Sequence, residues 1–533
     1  MTDILNQIVS RRRKDIAAFG YTLGASVPEK RTRAEPVPFI AEKGVVLEIK
    51  RASPSKGDIA PQLDAAQTAS HYAAAGTSAI SVLTEQHWFK GGLDDLQAAA
   101  KAVDDYAKQH GTSRIAILRK DFLLAPEEIE VAYRCGADAV LLIARILSAE
   151  KMTAMAQTCE RLGMTAFIEL REKTDLQKLA AVVENVSTKH IVCGVNARDL
   201  RDFSIDLLTP AGLLGEITEI VRAHSKEKAA TVRVIFESGI RTSQAARFAG
   251  SLGFTGMLLG EAAAKNPAEA ASLVSAFVTA PATPNAVFWL KYANELHAQK
   301  RQSNDNEIAE SSLVISRPFV KICGLTNLAD AQKAAELGAD FLGFIFWEKS
   351  PRHTDEKTVR LISKTIREQA EAKRKVAPKL VGVIVDADSE YGRTVRNLVR
   401  EGVLDCMQLH GCADDFFALR TAETDFPHYA VVNMNSEDDI AKIDALRLRG
   451  EPRMLIDAST ALTPGGTGKR IADALVEKVA HKTRLWLAGG ITPQNIRTIC
   501  DTFHPELIDV ASGTEASPGK KDHAKLEALF SAL

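Results

Sequence analysis

The chain has 533 residues, of which 46% are hydrophobic and 25% are charged, an ordinary globular composition with enough length for at least two hydrophobic cores. Its formal net charge of -1 creates no field that would gather nucleic acid or an anionic membrane, and its seven cysteines lack the spacing of a disulfide framework or a metal site. Because no apolar run of about 18 residues occurs, we expect a cytoplasmic protein that binds neither membrane nor nucleic acid.

The first predicted element is a helix near the amino terminus that carries a local basic run, "RRRK" at residues 11–14. Apolar residues recur around this run at helical spacing: Ile4, Leu5, Ile8, Val9 and Ile16. The pattern favours a solvated helix face over a binding patch for an anion.

Eight short apolar runs follow, and most are separated by segments of helical character that end at a glycine suited to a helix C-cap. The runs cover residues 45–50, 79–84, 115–120, 139–144, 166–170, 191–196, 234–239 and 256–260. Strands that alternate with helices pair in parallel, and eight such units in about 260 residues predict a closed (β/α)8 barrel, also called a TIM barrel. An open, doubly wound sheet has the same alternation and is the rival architecture.

A second set of eight runs predicts a second, consecutive barrel. They cover residues 319–324, 341–346, 380–385, 406–411, 429–434, 454–458, 485–490 and 507–513. Proline-rich and polar segments between the two sets indicate a linker. The sequence therefore predicts a first barrel at residues 1–278, a linker with a possible helix at 279–316, and a second barrel at 317–533.

Reactive side chains of a barrel lie at the carboxyl ends of its strands. In the first set these positions hold Glu48, Lys50, Lys120, Glu169, Asn196, Arg198, Glu237 and Ser238. Glu48 and Lys50 are two residues apart and share a face of their strand. Charges of both signs at the ends of core strands are costly unless they pair or meet a ligand, so the alternative to an active site is a structural salt-bridge network.

Glycine-bearing turns after the last two strands of each set predict phosphate sites, because backbone N–H groups can approach an anion there. The candidates are Gly239, Gly260, Gly489, Gly490, Ser512 and Gly513. The second set also places Cys323, Arg352, His410 and Asp457 after strands. A lone cysteine is more often an inert buried thiol, but Cys323 and Asp457 on opposite strands can serve as base and acid.

Several motifs are specific to known families. In the first half, the chain resembles indole-3-glycerol-phosphate synthase in order and over nearly the whole segment; the motifs include "LEIKRASPSKGDI" (47–59), "SVLTEQHWFKGG" (81–92), "LRKDFLLAPEEI" (118–129) and "GVNARDL" (194–200). In the second half it resembles phosphoribosylanthranilate isomerase; the motifs include "VKICGLT" (320–326), "GADFLGFIFWEKSPRH" (338–353), "PGGTGK" (464–469) and "DVASGTEASPGKKD" (509–522).

The resemblance implies a bifunctional enzyme of tryptophan biosynthesis that needs no metal or other cofactor. In the isomerase half, Asp457 would donate the proton that opens the ribose ring, Cys323 would remove the C2′ proton, and Arg352 would hold the anthranilate carboxylate, with His410 nearby. A thiolate at Cys323 requires a local cation, for which Lys321 is a candidate. We expect a monomer that acts on small phosphosugar-anthranilate substrates.

In the synthase half, the resemblance implies that Lys120 is a general acid, that Glu169 is the acid or base of the dehydration, and that Lys50 pairs with the substrate carboxylate and is a second possible proton donor. The other site residues would be Glu48, Ser53, Phe89, Asn196, Arg198, Glu237 and Ser238. The sequence leaves open which lysine is the main acid.

Three positions depart from the family patterns: Ala197 replaces a polar residue, "AFIEL" (166–170) is a loose version of its motif, and Thr514 stands where valine is commoner. None removes a proton-transfer group, so we expect them to affect affinity. Two alternatives are fused barrels in which one inactive half is a binding or scaffold module, and a different phosphosugar barrel such as a histidine-pathway isomerase.

Overall fold

The computed structural model describes residues 4–198, 204–265, 269–304, 317–458 and 470–533. The chain divides into two compact units, Met1–Ala282 and Thr283–Leu533. Residues 305–316 of the predicted linker, the end of "GVNARDL" and the motif "PGGTGK" lie outside the described residues. In the part of the chain that is described, no helix has both the length and the apolar character needed to cross a membrane.

Eight parallel strands close the barrel of the first unit, and they follow chain order around the ring. They are β1 (Gly44–Ile49), β4 (Ala79–Leu83), β5 (Ala116–Lys120), β6 (Ala139–Ile143), β7 (Thr165–Leu170), β8 (Ile191–Asn196), β9 (Arg233–Glu237) and β10 (Gly256–Leu259). A two-stranded hairpin, β2 (Ala52–Ser53) with β3 (Gly57–Asp58), follows β1. The predicted closed barrel is confirmed, and the open sheet is wrong.

Side chains that point into this ring form a packed apolar core, and their positions determine which charged residues face the mouth of the barrel. Successive side chains on a strand alternate between faces, so a residue two positions further on points the same way. Four core residues stand two positions before a charged residue: Val46 before Glu48, Leu118 before Lys120, Phe167 before Glu169 and Ile235 before Glu237. The alternation therefore carries these four charges inward, above the core.

Helices lie around the ring and, in the case of the first one, at its mouth. They are α1 (Ile4–Phe19), α2 (Ala65–Ala74), α3 (Leu93–His110), α4 (Pro126–Arg134), α5 (Ala149–Arg161), α6 (Lys173–Val183), α7 (Thr209–His224), α8 (Ser243–Ser251), α9 (Glu261–Lys265) and α10 (Ala270–Val278). Side-chain caps begin several of them; Asp64, for example, accepts a hydrogen bond from the Gln67 N–H at the start of α2.

The second unit contains a second closed ring of eight parallel strands in chain order. They are β11 (Phe319–Cys323), β12 (Phe341–Ile345), β13 (Lys379–Ile384), β14 (Cys406–His410), β15 (His428–Asn433), β16 (Met454–Asp457), β17 (Trp486–Ala488) and β18 (Leu507–Val510). The hairpin of β19 (Glu515–Ser517) and β20 (Lys520–Lys521) follows β18. The helices of this unit are α11 (Pro284–Asn304), α12 (Leu328–Leu337), α13 (Glu356–Ala372), α14 (Glu390–Arg400), α15 (Ala413–Leu419), α16 (Ile440–Leu448), α17 (Asp473–Ala480), α18 (Ile496–Phe503) and α19 (His523–Ser531).

Helix α11 packs against the amino-terminal ends of the second barrel's strands. Its Trp289 and Tyr292 are fully buried and contact Trp486, the first residue of β17, at ring-centroid distances of 5.9 and 5.5 Å. Tyr292 also lies against Phe319, the first residue of β11, and its hydroxyl donates to Glu506 at 2.8 Å. The helix thus closes the end of the barrel opposite the carboxyl ends of its strands.

Candidate active sites

The mouth of the first barrel holds a cavity of about 190 Å³ at the carboxyl ends of its strands. Of the residues predicted from sequence, eleven line it: Glu48, Lys50, Ser53, Phe89, Lys120, Glu169, Asn196, Arg198, Ser238, Gly239 and Gly260. Glu237 lies directly beneath and contacts Lys120. The structure therefore brings all twelve together.

A buried network of alternating charges forms the floor of this cavity. The ammonium of Lys120 lies 2.8 Å from Oε2 of Glu237 and 3.6 Å from Oε2 of Glu48, while Lys50 donates to Oε1 of Glu48 at 2.5 Å. The other Glu237 oxygen, Oε1, is buried and accepts no hydrogen bond from any described residue. A buried carboxylate oxygen without a donor is costly, and a ligand hydroxyl would satisfy it.

Two glycines create the space that these charged groups occupy. A Cβ atom at Gly260 would lie 2.4 Å from Oε1 of Glu48 and 2.6 Å from the Lys50 ammonium. A Cβ atom at Gly194 would lie 2.2 Å from Oε1 of Glu237. Any larger residue at either position would displace part of the network, so Gly260 has a packing role beside its predicted phosphate role.

The network separates the protonation states of its members. Burial alone would lower the pKa of Lys120, but the carboxylates of Glu237, Glu48 and Glu169 outweigh it and raise that pKa above its ordinary value. Burial, assisted by repulsion from Glu237, raises the pKa of Glu169 to about 7. One group is thus held protonated at neutral pH, while a neighbour can gain or lose a proton there.

The turn after β9, where a phosphate site is predicted, has an unusual backbone conformation. Ser238 and Gly239 have consecutive positive φ angles of 71° and 86°, which is uncommon for a residue with a side chain. A Cβ atom at Gly239 would lie 2.6 Å from Cγ2 of Ile205. Arg241 and Glu261, which were not predicted as site residues, also line the cavity.

Helix α1 contributes a wall that sequence reasoning missed. Ile4, Leu5 and Ile8 line the cavity together with Phe122, whose ring lies 6.0 Å from that of Phe89. Ile4, Leu5 and Ile8 belong to the helical pattern recognised in the sequence, but a helical repeat does not reveal what its apolar face covers.

The prediction that "RRRK" is a solvated helix face is wrong for Arg12. Arg11, Arg13 and Lys14 are exposed, but Arg12 is buried. Its guanidinium donates to Glu128 at 2.6 Å and to Asp121 at 3.1 Å. Since Asp121 directly follows Lys120, this ion pair connects α1 to the end of β5.

The second barrel has a smaller cavity, of about 70 Å³, at the carboxyl ends of its strands. All eight residues predicted for this half line it: Cys323, Arg352, His410, Asp457, Gly489, Gly490, Ser512 and Gly513. Gln408 and Asp509 line it as well. Asp509, like Asp457, is an acidic residue inside an apolar strand. The same pattern could therefore have predicted Asp509 as a site residue, but it was overlooked.

Lys321, fully buried, donates to Asp509 at 2.7 Å and to Gln408 at 2.8 Å. A Cβ atom at Gly343 would lie 2.7 Å from Sγ of Cys323 and 3.1 Å from Nζ of Lys321, so the thiol and the ammonium lie beside the same point. Burial raises the pKa of the Cys323 thiol, and Lys321 partly opposes this. The cation predicted beside Cys323 is therefore present, but burial raises the pKa of the thiol more than Lys321 lowers it.

Two further side chains at this mouth have defined electrostatic states. Burial, with Lys321 nearby, lowers the pKa of His410 to about 4, so its imidazole is neutral at pH 7. Arg352 is buried and forms a two-point ion pair with Glu515, with both N–O distances 2.8 Å.

The turns after β17 and β18 pack closely enough to require glycine. Gly489 and Gly490 have φ angles of 96° and 62°, and a Cβ atom at Gly513 would lie 1.9 Å from the carbonyl oxygen of Ile491. Glycine turns of this kind can present backbone N–H groups to an anion, which is the basis of the predicted phosphate role. Among the described residues, no group of three or more histidine, cysteine or acidic side chains is arranged to hold a metal ion.

Comparison with known proteins identifies both halves. Residues 5–275 match the family model of indole-3-glycerol phosphate synthase, and residues 320–532 match that of N-(5'-phosphoribosyl)anthranilate isomerase. The chain is 31% identical to the multifunctional tryptophan biosynthesis protein of Schizosaccharomyces pombe, over 99% of this chain and 66% of that protein. It is 30% identical to the tryptophan biosynthesis protein TrpCF of Vibrio parahaemolyticus, over 92% of this chain and 84% of that protein. The solved phosphoribosyl anthranilate isomerase of Thermotoga maritima is 30% identical over 40% of this chain and 98% of that one, with a TM-score of 0.34.

Proposed function

The chain belongs to the indole-3-glycerol phosphate synthase family in its first half and to the phosphoribosylanthranilate isomerase family in its second, and we propose how its residues divide the two reactions. It is a bifunctional enzyme of tryptophan biosynthesis. The second barrel isomerises N-(5-phosphoribosyl)anthranilate to 1-(2-carboxyphenylamino)-1-deoxyribulose 5-phosphate. The first converts that product to indole-3-glycerol phosphate with loss of CO₂ and water.

For the isomerase we propose that Asp457 protonates the ribose ring oxygen, which breaks the C1′–O bond and leaves a Schiff base. The thiolate of Cys323 then removes the C2′ proton, and the resulting enol becomes the ketone. Arg352 binds the anthranilate carboxylate, and the turns at Gly489, Gly490, Ser512 and Gly513 bind the phosphate. The position of Lys321 beside Cys323 supports this assignment, because a nearby cation favours the thiolate.

For the synthase we propose that Lys120 is the main general acid. It protonates the substrate carbonyl while the anthranilate ring carbon attacks it, and the ring then loses CO₂. Glu169 transfers a proton during the loss of water, and Lys50 pairs with the substrate carboxylate. The observation that carries this assignment is that three carboxylates surround Lys120 and keep it protonated. The carboxyl of Glu169, close by, has a pKa of about 7 and can exchange a proton at neutral pH.

The remaining first-barrel residues would bind substrate rather than transfer protons. Glu48, Asn196 and Arg198 line the cavity, and Oε1 of Glu237 has no hydrogen-bond donor among the described residues. Ser53 and Phe89 form part of the wall, and Ser238, Gly239 and Gly260 would hold the phosphate. We further propose that the protein works as a monomer in the cytoplasm; six of its seven thiols are buried and all are free, which suits a reducing compartment.

The test supplies N-(5-phosphoribosyl)anthranilate to the full chain and follows the loss of anthranilate fluorescence together with the appearance of indole-3-glycerol phosphate. Lys120→Ala should stop indole-3-glycerol phosphate formation and let the isomerised intermediate accumulate. Cys323→Ala should stop isomerisation but leave conversion of added intermediate intact. If either change silences both reactions in a folded protein, the two-site assignment is wrong.

A further inference from the structure

We propose that Glu515 is a positioning residue for the isomerase: it orients Arg352 so that one edge of the guanidinium faces the carboxylate of the substrate's aromatic ring. This inference rests on the function proposed above for Arg352. Glu515 lies outside the cavity lining and does not itself contact the substrate in this scheme.

The geometry of the ion pair determines which part of Arg352 remains available. Glu515 accepts from Nε through Oε1 and from Nη2 through Oε2, each at 2.8 Å. A planar guanidinium has a second edge, formed by Nη1 and the other Nη2 hydrogen, that can bind a second carboxylate at two points. The hydrogen bonds that Arg352 makes to described residues use its backbone N–H, Nε and Nη2, and not Nη1, and Arg352 lines the cavity.

The aliphatic part of the Arg352 side chain is also closely packed. Gly324 has a φ angle of 76°, and a Cβ atom there would lie 2.7 Å from Cδ of Arg352. The backbone N–H of Gly519, in the turn between β19 and β20, donates to Oε1 of Glu515 at 3.3 Å. Arg352 is thus confined between Gly324 on one side and the β19–β20 hairpin on the other.

The charge of the cluster also suits an anion. Lys521 is buried, with Nζ 3.5 Å from Oε1 of Glu515 and 2.8 Å from the carbonyl oxygen of Ala511. Arg352, Glu515 and Lys521 therefore sum to one formal positive charge beside the cavity. An arginine paired only with a carboxylate would be neutral as a unit, so the lysine preserves the attraction for the substrate carboxylate.

The test compares two inhibitors of the isomerase on the full chain. One is reduced 1-(o-carboxyphenylamino)-1-deoxyribulose 5-phosphate, and the other is the same compound without the ring carboxylate. The ratio of their inhibition constants measures recognition of the carboxylate alone. We expect Glu515→Gln to reduce this preference about tenfold, as is typical of a lost charge-assisted contact, with little change for the inhibitor that lacks the carboxylate.

Controls separate the inference from the assignment on which it rests. Arg352→Met should abolish the preference; if it does not, the function proposed for Arg352 is wrong. If Arg352→Met abolishes the preference but Glu515→Gln weakens both inhibitors equally, Glu515 is only structural and the inference fails. Glu527→Gln, an exposed substitution in the same barrel, should change neither constant. Should Glu515→Gln fail to fold, Glu515→Asp gives the same readout, because it keeps the charge but shortens the reach.

Discussion

Nζ of Lys120, at the end of β5, lies 2.8 Å from Oε2 of Glu237, at the end of β9. The two residues are 117 positions apart in the chain, and the barrel brings them together because both follow an inward-pointing core residue by two positions. Each would be costly to bury alone. Their pairing explains how a lysine inside a barrel mouth keeps its proton.

Removing the negative charge of Glu237 should therefore weaken the hold of Lys120 on its proton. Burial lowers the pKa of Lys120, and nearby carboxylates raise it. In Glu237→Gln one of these carboxylates is gone, so the pKa of Lys120 falls. If Lys120 must be protonated to act, the alkaline decline in kcat/KM of the synthase should move to lower pH. The pKa of Lys120 starts above its ordinary value and one lost charge contact shifts a pKa by about 1–3 units, so rate profiles of parent and variant that extend to about pH 11 test this. An unchanged profile would contradict the assignment of Lys120 as the acid, and the exposed Glu130→Gln should match the parent.

The buried ion pair of Arg12 should connect α1 to synthase activity. Arg12→Met leaves Asp121 and Glu128 with less compensation, and breaking such a pair costs about 3–5 kcal/mol. We expect a lower thermal stability of the first unit and a raised KM for the synthase substrate, because α1 forms part of the cavity wall, with no change in isomerisation. Arg13→Met, in the same run but exposed, is the matched control. Equal effects from both variants would indicate that the basic run acts by its overall charge.

Protonation of Glu169 should make the stability of the first unit depend on pH. Its pKa is raised from 4.5 to about 7 in the folded state, so between these values the folded protein holds a proton that the unfolded chain releases. The stabilisation is fully present below about pH 4.5 and is lost as pH rises through 7, by up to about 3 kcal/mol. Glu169→Gln should abolish this component. Denaturant unfolding at several pH values measures it, and a parallel loss in parent and variant would mean that Glu169 is ionised throughout.

Much of both sites could be predicted because the carboxyl ends of parallel barrel strands meet at one mouth, and charges buried there are costly unless they pair or meet a ligand. Cys323 and Asp457 each ended a buried run, and the sequence predicted that they would share a mouth. The structure added partners that no local pattern reveals. The contact of Arg12 with Glu128 spans 116 positions, and that of Arg352 with Glu515 spans 163. A helical repeat or a strand alternation specifies the face on which a residue lies, but tertiary packing decides what that face meets.

Helix α11 determines where the chain can be divided. A cut near residue 314, inside the predicted linker at 279–316, would remove Trp289 and Tyr292 from the second barrel and expose the amino-terminal ends of β11 and β17 to water. Losing a buried tryptophan costs about 3–5 kcal/mol, and the buried Glu506 would lose the hydroxyl of Tyr292.

We therefore expect the fragment 283–533 to retain isomerase activity and to melt at a higher temperature than 314–533. Thermal unfolding followed by circular dichroism, together with the half-life of isomerase activity at elevated temperature, measures the difference. Within fragment 283–533, Trp289→Ala should reproduce most of the loss, whereas Val287→Ala should not, because Val287 on the same helix is 60% exposed. Equal stability of the two fragments would show that α11 covers the end of the barrel without stabilising it. In that case, the apolar residues beneath it must pack adequately on their own.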